Sequence, residues 1–150
     1  MMSAYSGQAG QPAVLRGTQY PDSGYRFDVR HTVEVIDPTH PVCAGLGDSF
    51  TLIDELYCFP VFESDVTPLL RTTFDTTDPT LFSSADLAIR GRRGSNEGWS
   101  HPPGSALVGW TKPAGNSRAV YLQFGDGPVT YADPSYRRVL ANAIAWTARS

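Results

Sequence analysis

The sequence predicts an α/β domain with about five strands and one clear helix at its C-terminal end. Apolar and polar residues alternate over residues 27–35, which is typical of a strand with one buried face. After Asp133 and Pro134, apolar residues recur at helical spacing, and these two residues suit the N-cap and the first helical position. A chain of 150 residues is the usual size of one domain, so we expect a single domain over residues 1–150.

The other expected elements are strands and loops placed by alternation and by turn-forming residues. Strands are expected at residues 27–35, 50–59, 66–74, 106–111 and 118–124, and the helix at about 134–148. Pro68 marks an edge or a bulge in the third strand. Residues 112–117 are turn-forming, so the last two strands are expected to make a hairpin. Residues 1–24 form a loop-like lead-in and 75–105 a long loop, since neither shows a clear period.

Composition and charge exclude several classes of protein. Apolar residues make up 41% of the chain and charged residues 18%, which indicates a globular rather than a disordered protein. A net charge of −3 argues against a nucleic-acid partner. No stretch is apolar enough to span a membrane, and the first residues lack the pattern of a secretory signal. Cys43 and Cys58 show no CxxC spacing, so a reduced, cytoplasmic protein is the default expectation.

Two adjacent acids, Asp54 and Glu55, interrupt the apolar second strand. Side chains of neighbouring strand residues point to opposite faces, so one acid lies with Leu52 and Leu56 and the other with Ile53 and Tyr57. In one interpretation, one acid faces solvent and the other caps or pairs within the fold. In the other interpretation, which is our hypothesis, one carboxylate faces solvent and one serves a site. Glu55, beside Tyr57, would then face a polar cleft and bind a sugar hydroxyl or act as a base.

Several short motifs occur in a defined order along the chain. They are Asp37-Pro38-Thr39-His40-Pro41 with Gly45-Leu46, Asp54-Glu55-Leu56-Tyr57, Gly109-Trp110-Thr111, Arg118-Ala119-Val120-Tyr121, Gly125-Asp126, and the helix Asp133-Pro134-Ser135-Tyr136-Arg137 through Leu140, Ala143 and Trp146. In this order and spacing the chain resembles the C-terminal half of the ThuA-like family, named for trehalose utilisation. The resemblance covers about residues 25–148.

The resemblance implies a flavodoxin-like fold of the class I glutamine-amidotransferase type and a role in carbohydrate catabolism, often beside dehydrogenases that make keto-sugars. Family members are usually longer and begin with strand–helix units at the centre of a parallel sheet. The chain is therefore expected to be N-terminally incomplete, with an open apolar surface. A homo-oligomer, or a partner supplying the missing half, would cover that surface.

A second departure from the family concerns the residue after Gly125. The family typically has a histidine there, and this chain has Asp126. A histidine can shuttle protons near neutral pH, which an aspartate does not do. Any role that depends on that histidine is therefore in question in this chain.

The candidate site residues are taken from these motifs. Glu55 and Asp126 are the candidate catalytic residues, and Tyr57, His40, Trp110 and Trp99 are the candidate substrate-binding residues. Aromatic residues on strands more often pack in a core, and His31, on the apolar face of its strand, is expected to be a satisfied core residue. No HxH or HExxH spacing supports a metal site, and the absence of GxGxxG and GxxxxGK leaves no cofactor indicated.

These observations favour a protein that acts on or binds a sugar or keto-sugar, without a settled reaction. Whether it is an enzyme stays open, because GxSxG and other local signatures of catalysis are absent. The alternatives are a non-catalytic module that binds a sugar or a partner, and a truncated, inactive fragment.

Overall fold

The computed structural model describes residues 23–101 and 103–148, and the chain divides into two compact units. Among the described residues, unit 1 takes 23–26, 57–62, 75–101 and 103–105, and unit 2 takes 27–56, 63–74 and 106–148. The expectation of a single domain stays a prediction. The expected lead-in at residues 1–24 lies almost wholly outside the described residues, and its last residue, Gly24, begins the first strand.

Five of the six strands in the described residues fall close to the predicted positions, and the sixth, Phe82–Ser83, lies in the 75–105 segment that was expected to be a loop. The strands are β1 (Gly24–Val35), β2 (Ser49–Cys58), β3 (Thr67–Thr72), β4 (Phe82–Ser83), β5 (Leu107–Ala114) and β6 (Ser117–Leu122). In unit 2 they follow the order β2-β1-β3-β5-β6. In unit 1 the two residues of β4 pair with Gly24 and Tyr25 at the start of β1.

Antiparallel pairing distinguishes this sheet from the expected parallel one. β1 pairs with β3, β3 with β5, and β5 with β6, all antiparallel. The α/β composition is therefore confirmed, whereas the flavodoxin-like arrangement is not, because that arrangement is built on parallel strands. The predicted hairpin is confirmed, with a turn of only Gly115 and Asn116. A register shift beside Pro68 confirms the irregularity expected there.

The helices are α1 (Ser84–Arg90), α2 (Pro128–Ala132) and α3 (Pro134–Thr147), with short 3-10 turns at Pro41–Cys43 and Glu63–Asp65. The prediction of α3 is confirmed, and Asp133 caps it by accepting from the amides of Ser135 and Tyr136. The expectation of an unstructured 75–105 segment was wrong, because α1 lies within it. Two turns of helix are too short to produce a visible period. Over the described ranges, no helix is long and apolar enough to cross a bilayer.

The core of unit 2 lies between the sheet and α3. Val33, Leu70 and Val108 contribute from the strands, and Tyr136 and Val139 contribute from the helix. The alternation predicted for β1 is confirmed, since Val29, His31 and Val33 are buried while Arg30 and Glu34 are exposed. Cys43 is free and buried in this core, where burial raises the pKa of its thiol to about 11.

The sheet of unit 2 curls until its two edge strands meet. In a flat sheet of this order, β2 and β6 would be about 19 Å apart. The amide of Gln123 still bonds to Val108 of β5, and only two residues later the amide of Gly125 lies 2.7 Å from the Asp54 carboxylate in β2. Two residues reach only about 7 Å. The two edges must therefore approach each other, which joins the end of β6 to the middle of β2.

Candidate functional site

Asp54 is the anchor of the site at these joined edges. It lies in the buried row of β2 with Leu52 and Leu56 and is 5% exposed. Its Oδ2 accepts from the amide of Gly125 at 2.7 Å, and its Oδ1 accepts from the amides of Glu55 at 2.9 Å and Asp126 at 3.3 Å. A buried carboxylate needs such donors, because charge without hydrogen bonds is costly away from water.

The positions of the two adjacent acids therefore differ from the hypothesis made from sequence. Asp54 does not face solvent; it is buried and bonds the chain segment that follows β6. Glu55 is half-buried in the opposite row with Ile53 and Tyr57, as the alternation predicted. The alternation fixed the two rows but not which of them faces the interior, since both carry apolar residues.

The loop over residues 123–127 is shaped by glycine. Gly125 has φ +118°, where residues with a side chain are rarely found. A Cβ at Gly125 would lie 2.6 Å from the Tyr136 hydroxyl and 3.4 Å from the Tyr131 hydroxyl. Beyond the loop, the Thr130 hydroxyl donates to the carbonyl of Ile53 at 3.1 Å, which fastens α2 to β2. The loop is thus held from both ends.

Two tyrosines pack beside this loop. Their rings meet edge to face, with centroids 5.2 Å apart. Tyr136 is buried, whereas Tyr131 is 51% exposed. Burial, the hydrogen bond with Tyr131 and the charge of Asp54 together raise the pKa of Tyr136 to about 12. Tyr136 therefore stays a neutral phenol, and about half of the Tyr131 side chain is exposed to solvent beside it.

His31 adds a buried imidazole to the same unit. Its Nδ1 is 2.8 Å from the hydroxyl of Thr72, whose oxygen also accepts from the amide of Phe74. Its ring packs near Phe124, and its Nε2 is buried without a hydrogen-bond partner among the described residues. Burial lowers the pKa of His31, and the nearby charge of Asp54 opposes that shift. The expectation that His31 is a core residue with its hydrogen bonds made is confirmed for Nδ1 but not for Nε2.

The two candidate catalytic residues are brought to one place. Glu55 and Asp126 bond through their amides to the same Oδ1 of Asp54, so their backbones lie side by side. Asp126 is exposed, and Glu55 is partly accessible. Tyr57 and Trp99 belong to unit 1, and their part in a site with Asp126 stays a prediction.

The other two candidates have packing contacts in unit 2. The His40 ring accepts from the amide of Val42 and packs against Trp146, with ring centroids 5.0 Å apart. Trp110 is buried and stacks on Tyr121 across the hairpin, with ring centroids 5.0 Å apart. These contacts give His40 and Trp110 a role in packing, and their sugar-binding roles stay predictions.

Tyr136 was not identified as a site residue from sequence, and Asp54 was considered only as the neighbour of Glu55. A polar residue in the same row as Leu52 and Leu56 was the available signal for Asp54, and it became informative only once that row was known to be buried. Within residues 23–101 and 103–148, no group of three or more His, Cys, Asp and Glu side chains is placed to hold a metal ion.

The strands, helices and carboxylate-anchored loop define a mixed α/β protein with a polar, partly accessible surface beside a buried acid. The sequence model of the ThuA family, described as trehalose utilisation, matches residues 5–147. The chain therefore belongs to the ThuA family. No match to a curated protein was found.

Proposed function

We propose that this ThuA-family protein binds a sugar or keto-sugar of carbohydrate catabolism at the surface formed by Glu55, Asp126 and Tyr131. The observation that carries the proposal is the shared acceptor, Asp54 Oδ1, which holds the amides of Glu55 and Asp126 together. Family membership supports the choice of ligand, since the family is described by trehalose utilisation.

The three proposed binding residues match the chemistry of a sugar. Carboxylates accept hydrogen bonds from neutral hydroxyl groups, and such charge-assisted bonds are stronger than neutral ones. An exposed tyrosine offers an aromatic surface to the C–H groups of a sugar ring and a hydroxyl to its polar rim. Asp54 is a positioning residue in this scheme, because its oxygens already accept from three amides.

Binding without turnover is the second candidate function, and one observation favours it. The position after Gly125 carries Asp126 rather than the histidine typical of the family, and His31, a histidine of the same unit, is buried. A buried imidazole cannot reach a ligand without rearrangement. The site then contributes hydrogen bonds and shape rather than proton transfer.

The proposal is tested by titrating the protein with trehalose, glucose and a keto-glucose by isothermal titration calorimetry. We expect saturable binding of at least one of them and a loss of about tenfold or more in Asp126→Asn, which corresponds to about 1.4 kcal/mol. Asp48→Asn, an exposed aspartate before β2, is the matched control and should bind as the wild type. Equal binding by both variants, or no binding of any of the sugars, would refute the proposal.

A further inference from the structure

Two side chains of unit 1, Cys58 and His101, bring a thiol and an imidazole together. Cys58 is 4% exposed, and its Sγ lies 3.8 Å from Nδ1 of His101. The same sulfur lies 3.4 Å from the carbonyl of Thr76. A thiol carries a single proton, which can serve only one of these two acceptors. The proposed sugar site uses neither side chain.

The orientation of His101 is set by contacts on the other side of its ring. Its Nε2 lies 3.3 Å from the carbonyl of Asp78, which can only accept, so Nε2 carries the ring proton in this contact. Nδ1 therefore presents a lone pair to the sulfur of Cys58. Trp99 stacks on the imidazole with ring centroids 4.6 Å apart, which limits its motion. A histidine that donates one ring N–H to a carbonyl and turns its other nitrogen inward has the arrangement typical of a metal ligand.

The sulfur of Cys58 is approached closely by the backbone of Gly104. The amide of Gly104 donates to the sulfur, and a Cβ at this glycine would lie only 2.5 Å from Sγ. Burial raises the pKa of the Cys58 thiol, and the hydrogen bond from Gly104 opposes that shift. Amide hydrogen bonds stabilise thiolates, including those bound to metals. A thiolate at this buried position therefore has a hydrogen-bond donor but needs a cation to balance its charge.

The distance between the two donor atoms allows one metal ion to bind both. Bonds of about 2.3 Å to sulfur and about 2.0 Å to nitrogen span at most about 4.3 Å. The observed separation of 3.8 Å between Sγ of Cys58 and Nδ1 of His101 is within that reach. An ion placed between the two atoms would therefore contact both without rearrangement of the backbone.

The number of ligands and the burial of the pair select the kind of ion. Zn²⁺ usually takes at least three protein ligands, and the described residues, 23–101 and 103–148, hold no group of three His, Cys, Asp and Glu side chains placed for a metal. A monovalent ion and one thiolate form a neutral unit, whereas a divalent ion leaves a net charge that is costly away from water. Thiolate sulfur prefers soft ions such as Cu(I).

We propose that Cys58 and His101 bind one soft monovalent metal ion of the Cu(I) type. On binding, the Cys58 thiol releases its proton to solvent, and Sγ and Nδ1 each donate an electron pair to the ion, whose oxidation state is unchanged. The inference goes beyond the proposed function, because it concerns a thiol and an imidazole of unit 1 and requires no sugar.

The test supplies Cu(I) to the full chain under anaerobic conditions as its complex with bicinchoninate, whose colour is lost when the protein takes the ion. We expect the wild type to take one Cu(I) per chain. Cys58→Ser and His101→Gln should each weaken binding about tenfold or more, since loss of even a ligand's supporting partner has an effect of that size. Cys43→Ser is the matched control, because Cys43 is a second buried, free cysteine and lies in unit 2, and it should bind as the wild type.

Two further measurements keep the test independent of any one variant. Thermal melting verifies that each variant folds, and X-ray absorption at the copper edge of the loaded wild type should show one sulfur and one nitrogen neighbour. Copper that stays bound in Cys58→Ser or His101→Gln, or that is lost in Cys43→Ser, would overturn the inference. Absence of Cu(I) binding, a copper ion without a sulfur neighbour, or displacement of Cu(I) by equimolar Zn²⁺ would overturn it as well.

Discussion

The carboxylate of Asp54 in β2 accepts a 2.7 Å hydrogen bond from the amide of Gly125, which follows β6 at the other edge of the sheet. The same carboxylate accepts from the amides of Glu55 and Asp126. The buried side chain of Asp54 therefore joins the two edges of the sheet and positions the backbone of the proposed binding surface. Asp54 therefore affects both the stability of the fold and the position of the proposed binding residues, and separate variants test these two roles.

Asp54→Asn tests the anchoring contact. The amide oxygen of asparagine can replace only part of the carboxylate, and its NH2 group would face backbone N–H donors. We expect the free energy of unfolding to fall by about 1–3 kcal/mol, the cost of leaving buried donors unsatisfied. Urea unfolding measures this change. Asp48→Asn, at an exposed aspartate, should stay within about 0.5 kcal/mol of the wild type; equal stability of both variants would remove the anchoring role.

Gly125→Ala tests the shape of the 123–127 loop. The new methyl group would meet the Tyr136 hydroxyl at 2.6 Å, on a backbone at φ +118°. Gly115→Ala is the control, because it has φ +61° but open space around its Cβ. We expect about 1–2 kcal/mol of destabilisation in the control and at least twice that in Gly125→Ala, measured by chemical denaturation. Equal losses would show that the contact with Tyr136 is unimportant.

The positions of the strands and of α3 could be predicted from the sequence more accurately than the arrangement of the strands in the sheet. Alternation placed β1 and β2, and capping residues placed α3, because these signals are local. The antiparallel order and the curl of the sheet depend on contacts between distant residues, such as Asp54 with Gly125. Glu55 and Asp126 were chosen as candidates from local motifs, and their roles stay predictions, whereas Asp54 was considered only as the neighbour of Glu55.

His31 predicts how stability depends on pH. Burial lowers its pKa in the folded protein, with the charge of Asp54 opposing the shift, so the unfolded chain binds a proton more readily. The stability that neutral His31 contributes to the fold is therefore present above the unfolded pKa of about 6.5, and it is lost as the pH falls below that value. We expect the free energy of unfolding to rise with pH as the pH approaches about 6.5 from below. His31→Gln should flatten this rise in urea unfolding at each pH; an unchanged slope would contradict the assignment.

The exposed aspartates act in a different pH range. Hydrogen bonds from Thr39, Thr77 and Thr80 lower the pKa values of Asp37, Asp75 and Asp78, respectively. Acids with lowered pKa values stabilise the fold above their unfolded pKa and lose that contribution as pH falls further. Their effect therefore lies below about pH 4, whereas the effect of His31 begins to be lost below about pH 6.5.

Asp133→Ala tests the start of α3. Asp133 accepts from the amides of Ser135 at 2.8 Å and Tyr136 at 3.0 Å, and no other side chain replaces it as the N-cap. We expect a loss of about 1 kcal/mol, within the usual range for an N-cap, in thermal unfolding followed by circular dichroism. Asp48→Ala, away from any helix start, should change little; equal melting of the two variants would contradict the capping role.

We propose that Glu55 and Asp126 contribute to one sugar site whose backbone is positioned by Asp54. A double-mutant cycle of Glu55→Gln and Asp126→Asn measures this directly, using calorimetric binding of whichever of trehalose, glucose and keto-glucose binds most tightly. Each single change should weaken binding about tenfold, leave thermal stability within about 1 kcal/mol, and couple to the other by about 0.5 kcal/mol or more. Glu34→Gln, exposed on β1, should bind as the wild type. Wild-type affinity in both single variants, or losses that simply add, would contradict a shared site.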